Sequence, residues 1–209
     1  MEHFIEPFSR MGMWVSSHSS HYTSAHEFRR DYELAVKQLL EQESELERKY
    51  KDIPDEHRGG LIFTETNGLH HTAYRYATAA HLFSCMAIEG FINYYGIKRL
   101  GDRFYRRNLE RLGITEKLST LLLACGLERI DPSDELIKKV RSIFDRRNSI
   151  VHPKSKEVHN ISSVENYVHP SELPVADTFE ALGFFVSKMC SLDDEINKEF
   201  EFRENREYF

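Results

Sequence analysis

The sequence predicts an all-α protein, an antiparallel four-helix bundle with two short helices inserted before the third principal helix. Three observations point there. Apolar residues recur at three- and four-residue steps along most of the chain, the period of a helix with one face buried. Clusters of Gly, Pro, Asn and Asp punctuate these stretches at helix-like lengths. Finally, 209 residues of which 40% are hydrophobic suit a single domain with a core of good size, needing neither metal nor disulfide support.

Residues 1–24 mix Phe4, Ile5, Phe8, Met11, Met13 and Trp14 with a Ser/His stretch, Ser16 to Tyr22. This reads as an irregular arm whose first half docks on the bundle, with the domain proper spanning 25–209. His18, His21 and His26 are chelators in principle, but nothing else of a metal site accompanies them, and a polar linker is the plainer expectation. From about 25 to 50, Phe28, Tyr32, Leu39, Leu46 and Tyr50 mark a long amphipathic helix. The segment 52–68, with Pro54, Gly59-Gly60 and Asn67-Gly68, reads as a connection. The double glycine lacks the strand, spacing and lysine of a phosphate-binding loop.

The next helix, about 71–100, is apolar on most sides and should be the central one. One line along it is small or polar: Thr78, His81, Cys85, Glu89, Asn93 and Gly96. Glu89 is the most costly of these to bury without a partner. Two short helices follow, a basic one over 101–112 and another over 115–125, with Gly113 and Gly126 as stops. In Asp131-Pro132-Ser133-Asp134, Asp131 suits an N-cap, Pro132 the first turn and Asp134 the helix dipole, so a third principal helix runs over 133–152. A long polar loop, 153–174, leads to the last helix, about 175–202, whose end is acidic.

Composition narrows the class. Cys85, Cys125 and Cys190 are scattered in apolar helical patterns without a Cys-x-x-Cys pair, which suggests reduced core thiols and a cytoplasmic protein. The N-terminus lacks a signal-peptide pattern, and no run approaches the roughly 20 apolar residues of a membrane span. No compact set of Asp, Glu, His and Cys has the spacing of a metal site, so neither metal nor another cofactor is expected. The net charge of −6 does not advertise nucleic-acid binding. Its distribution is uneven, however: between Lys98 and Glu157 there are 15 Lys and Arg against 9 Asp and Glu. Such a segment is either solvated surface or a local field that attracts phosphate.

That basic segment ends in Ser142-Ile-Phe-Asp-Arg-Arg-Asn-Ser-Ile-Val-His-Pro153. On a helix, Leu136, Ile137, Val140, Ile143, Phe144 and Val151 share one side with Arg147, and a desolvated guanidinium needs an anionic partner. Pro153 biases His152 out of the α region and closes the helix there. A spacing of five leaves Arg147 and His152 roughly 140° apart on an ideal helix, so one copy of the pair converges poorly. Either the helix end distorts or a second chain supplies the complement.

Arg147-Asn148-Ser149-Ile150-Val151-His152 resembles the Arg-polar-x3-His signature of the HEPN superfamily of helical-bundle proteins, and the resemblance covers roughly 25–202. It implies a metal-independent endoribonuclease whose active site forms where two copies of the motif meet in a homodimer, leaving a 2′,3′-cyclic phosphate. Biological settings implied are phage defence, a toxin–antitoxin pair with an antitoxin or defence-system partner, or RNA processing. One departure is Lys154, where the branch paired with nucleotidyltransferases has Tyr, so modification of that tyrosine does not carry over.

The residue chemistry suits that expectation. Histidine changes charge near neutral pH, so His152 can act as base or acid. The Arg147 fork matches two non-bridging phosphate oxygens, and Asn148 can donate or accept beside it. Glu89 is the expected carboxylate orienting Arg147, while Arg146, Lys154 and Lys156 are expected to hold the flanking RNA backbone. The plainer alternatives are a structural salt bridge from Arg147 to Glu89 or to the last helix, and a His152 that merely favours the helix dipole. A non-catalytic RNA- or nucleotide-binding or dimerisation module is the alternative function.

Overall fold

The structure is a computed structural model that describes residues 16–127, 129–152, 168–193, 195–196 and 200. Among these residues it is all-helical, with six α-helices: α1 His18–Lys49, α2 Asp55–Leu100, α3 Asp102–Asn108, α4 Ile114–Ala124, α5 Glu135–Val151 and α6 Val175–Leu192. A single 3-10 turn, Pro170–Glu172, precedes α6. None of these helices is long and apolar enough to cross a membrane.

The frame is an antiparallel hairpin of α1 and α2. Lys49 Nζ meets Glu65 Oε1 at 3.2 Å near its turn, and the His18 ring lies 5.0 Å from that of Tyr94 at its other end. Ala25 and Ala35 on α1 and Ala73, Ala77 and Ala80 on α2 are all buried, and side chains this small suit a short distance between packed helix axes. At 46 residues α2 is about 69 Å long, against roughly 26 Å for α5 or α6. It is therefore the spine on which the shorter helices are laid.

Contacts along the spine give their directions. Thr178 meets His81 at 2.7 Å and Asp193 accepts from Tyr95 Oη at 2.6 Å, so α6 runs parallel to α2. Lys139 reaches Glu180 at 2.7 Å while Arg146 reaches Thr178 at 2.8 Å, so α5 runs antiparallel to α6. Near the middle of α5, the Cys85 thiol lies 3.6 Å from the Ile143 carbonyl. Cation–π contact of Arg29 with Phe179, at 5.0 Å, and the Tyr32 hydroxyl bonded to the Pro170 carbonyl join α1 to the α6 region.

Several boundaries differ from the sequence reading. The Ser/His stretch is not a linker: α1 begins at His18, which is 3% exposed and packed among Phe91, Tyr94 and Phe200. Residues 52–68 are not a connection either, since α2 starts at Asp55. Ile62, Thr66 and His70 are buried at four-residue spacing, whereas an added Cβ at Gly59, Gly60 or Gly68 would meet nothing within 4 Å. Packing of one face overrides the modest helix cost of exposed glycines. Asp134, not Asp131, caps α5, accepting the Leu136 N–H at 2.8 Å. Asp131 instead closes the preceding turn by accepting from Ser133. The last helix stops at Leu192 rather than near 202.

The two short helices are placed by close approach. Gly101, with φ 81°, turns the chain out of α2 in a conformation L side chains avoid. The ring of the buried Tyr105 on α3 then lies on Gly96, where a Cβ would stand 2.6 Å from its nearest atom. Gly126, at φ 68°, ends the turn after α4 as the sequence suggested. Gly96→Ala is expected to lower stability by about 1–3 kcal/mol, the cost of overpacking a filled core position, read from the shift in a urea-unfolding midpoint.

Candidate functional site at the end of α5

The inward face of α5 is Leu136, Ile137, Val140, Ile143 and Phe144, all buried as the periodicity predicts. Toward its C-terminus that face leaves the core: Arg147 is half-buried and Val151 is 43% exposed. His152 forms the C-cap, at φ −122° and ψ 62°, and its N–H donates to the Asn148 carbonyl at 2.9 Å. The histidine thus leaves the helix, as the following proline requires. Its ring is exposed and, among the described residues, has no hydrogen-bond or ion-pair partner.

Arg147 Nη1 donates to Asn148 Oδ1 at 3.1 Å, and among the described residues no carboxylate pairs with its guanidinium. Glu89 is half-buried and does not form the expected ion pair with Arg147. Both charges act on the Cys85 thiol, in opposite senses. Burial pushes that thiol up to about 12, Arg147 and Arg146 pull it down, and Glu89 pushes it further up. Lys154 and Lys156 lie outside the described residues.

Arg146 is placed differently from its expected role on RNA. It turns toward α6, donating from Nη1 to the Pro174 carbonyl and to Thr178 Oγ1, each at 2.8 Å, with Asp177 3.7 Å from Nη2. Adjacent residues on a helix point about 100° apart, so fixing one against α6 turns the other away. The arginine of the pair that reaches the last helix is Arg146.

Thr178 passes this contact on to His81, which is 5% exposed. Thr178 Oγ1, which accepts from Arg146, lies 2.7 Å from His81 Nδ1, and the direction of that bond follows the tautomer of the ring. Burial, then the Arg146 charge, lowers His81 from 6.5 to about 4, against a smaller opposing pull from Asp177. Neither Thr178 nor Asp177 was legible as part of the site, because only the fold brings α6 to α5.

The histidines of the N-terminal stretch do not converge on a metal. His18 sits in its aromatic cage, His21 lies 5.7 Å from Phe83, and His26 lies 5.1 Å from Phe179. A different trio does come together among the described residues: Glu43, His70 and His169 each offer a ligand atom, all within 4.8 Å of one another.

No family model, curated protein or solved structure matches the chain. Function must therefore be argued from the residues themselves.

The His81 network predicts acid sensitivity. Between pH 6.5 and about 4 an unfolded chain protonates this histidine and the folded protein does not, so the unfolded state binds more protons and stability falls as pH falls. The slope from this group approaches about 1.4 kcal/mol per pH unit inside that window and vanishes below it. His81→Asn, whose side-chain amide can bond the Thr178 hydroxyl without titrating, is expected to flatten the curve in denaturant titrations run across that range.

Proposed function

We propose that the protein is a metal-independent endoribonuclease of HEPN type, with Arg147, Asn148 and His152 of two chains forming one cleft. The observation that carries this reading is the exposed end of α5. There Arg147, bonded to Asn148 and paired with no carboxylate among the described residues, lies within two turns of a His152 that is open to solvent. A guanidinium in that state is ready for a phosphate, and an exposed imidazole is ready to move a proton. In this mechanism one histidine takes the proton of the ribose 2′-OH as that oxygen attacks phosphorus; the P–O5′ bond breaks, leaving a 2′,3′-cyclic phosphate, and the departing 5′-oxygen takes a proton from the second chain's histidine. The arginines stabilise the charge that builds on the non-bridging oxygens.

Homodimerisation belongs to the same reading. The Arg147 and His152 side chains leave the helix in different directions, and the apolar Val151 between them is exposed. A two-fold partner would cover Val151 and bring a second histidine to each arginine. We also propose that α1, α2, α5 and α6 make up an antiparallel four-helix bundle with α3 and α4 inserted, the arrangement that the pairwise helix directions favour.

Single substitutions separate catalysis from binding. His152→Ala should slow RNA cleavage by roughly 10²–10⁴-fold with little change in RNA affinity, the range for losing a positioned proton-transfer group. Arg147→Ala should lower both, because it also removes a ground-state phosphate contact. A folded His152→Ala protein that cleaves at the wild-type rate would leave the non-catalytic binding module as the better reading.

Two properties of the wild type complete the test. Sedimentation equilibrium at tens of micromolar should give twice the 24.6 kDa chain mass. Cleavage, measured well below the melting temperature, should continue in EDTA, since the proposed chemistry uses no metal.

A further inference from the structure

A second cluster forms where the hairpin of α1 and α2 meets the segment that leads into α6. Glu43 Oε1 lies 3.0 Å from His169 Nε2 and 3.4 Å from His70 Nε2. Bonds of about 2.0–2.1 Å to zinc place neighbouring tetrahedral ligand atoms about 3.3–3.4 Å apart, so the two separations from Glu43 are close to those of a metal polyhedron, and the whole set lies within 4.8 Å. Three elements each contribute one ligand type suited to a borderline divalent ion.

The trio is held in place by its surroundings. His70 is 4% exposed, with the Phe63 ring 5.1 Å from its own. His169 is fixed by the backbone on both sides: Tyr74 bonds the Val168 carbonyl and Tyr32 the Pro170 carbonyl. Its Nδ1 lies 2.6 Å from Ser171 Oγ, an outer partner that can accept a hydrogen bond from Nδ1–H when Nε2 ligates. Without metal the same ring accepts the Ser171 N–H at Nδ1, at 3.2 Å, and donates from Nε2 to Glu43. Metal binding therefore moves the ring proton from Nε2 to Nδ1, with no net loss from the histidine.

We propose that Glu43, His70 and His169 form a binding site for a divalent transition-metal ion of the zinc class, with a fourth position open to water. The ion clasps the turn before α6 to the α1–α2 hairpin. This inference does not rest on the ribonuclease reading.

The test uses untagged full-length protein, stripped with EDTA and dialysed free of it. Titration with Co²⁺ should give one ion per chain with the visible absorption of a four-coordinate site, displaced by Zn²⁺, and Zn²⁺ should raise the melting temperature. His169→Ala should lose the absorption and the thermal shift and weaken Zn²⁺ binding at least tenfold in calorimetry. Glu43→Gln, which keeps the side-chain shape, should weaken binding in the same direction, while His57→Ala, at an exposed position on α2, should leave it unchanged. Absence of binding by the wild type would overturn the proposal, leaving a hydrogen-bonded clasp. So would binding by His169→Ala and Glu43→Gln at wild-type strength, which would place the ion elsewhere. RNA cleavage in chelator is a separate readout, so loss of either reading is recognised without the other.

Discussion

The structure depends on satisfying one polar line along a buried helix. α2 lies at the centre of the molecule, and the line His81, Cys85, Asn93 and Gly96 runs down a side of it where unpaired polar groups would cost free energy. Four of the other five helices meet a position on it. Thr178 of α6 bonds His81, the Ile143 carbonyl of α5 faces Cys85, and Asn93 Oδ1 accepts from Tyr105 of α3 and, at 3.2 Å, from Lys117 of α4. Gly96 supplies no group but the space in which Tyr105 lies. Polar pairings of this kind contribute modestly to net stability, but they set register, since a slide of α5 or α6 by one turn would leave several buried groups without partners.

That line also explains what the sequence could and could not disclose. Its periodicity was visible, and so were the helical class, the inward face of α5 and the turn at Gly126, because each depends on local spacing. The start of α2 was not. Gly59, Gly60 and Gly68 carry a strong local turn signal, and only the α1 surface opposite Ile62, Thr66 and His70 outweighs it. The Ser/His stretch misled for a similar reason: histidines look solvated in sequence, yet His18 fills a cage built from α2 and Phe200.

At the candidate site the position of the motif was legible and its partners were not. Helical periodicity placed Arg147 on the apolar side of α5, and Arg146 was expected on the RNA backbone. Pro174, Asp177 and Thr178 instead gather around Arg146. Among the described residues Glu89 does not pair with Arg147, an outcome that spacing along a helix does not encode. Glu43 and His169 are 126 residues apart, beyond any local pattern, and they meet because two tyrosines from different helices hold one short segment.

Cys85 carries a consequence for how the molecule can be observed. It is 2% exposed, and the rise of its thiol to about 12 leaves almost no thiolate, the form that reacts with alkylating reagents. Any labelling at this sulfur must then report excursions in which α5 parts from α2, while the partly exposed Cys190 reacts without them. The chain thus contains its own clock for breathing at the helix that bears Arg147, next to an internal reference on α6.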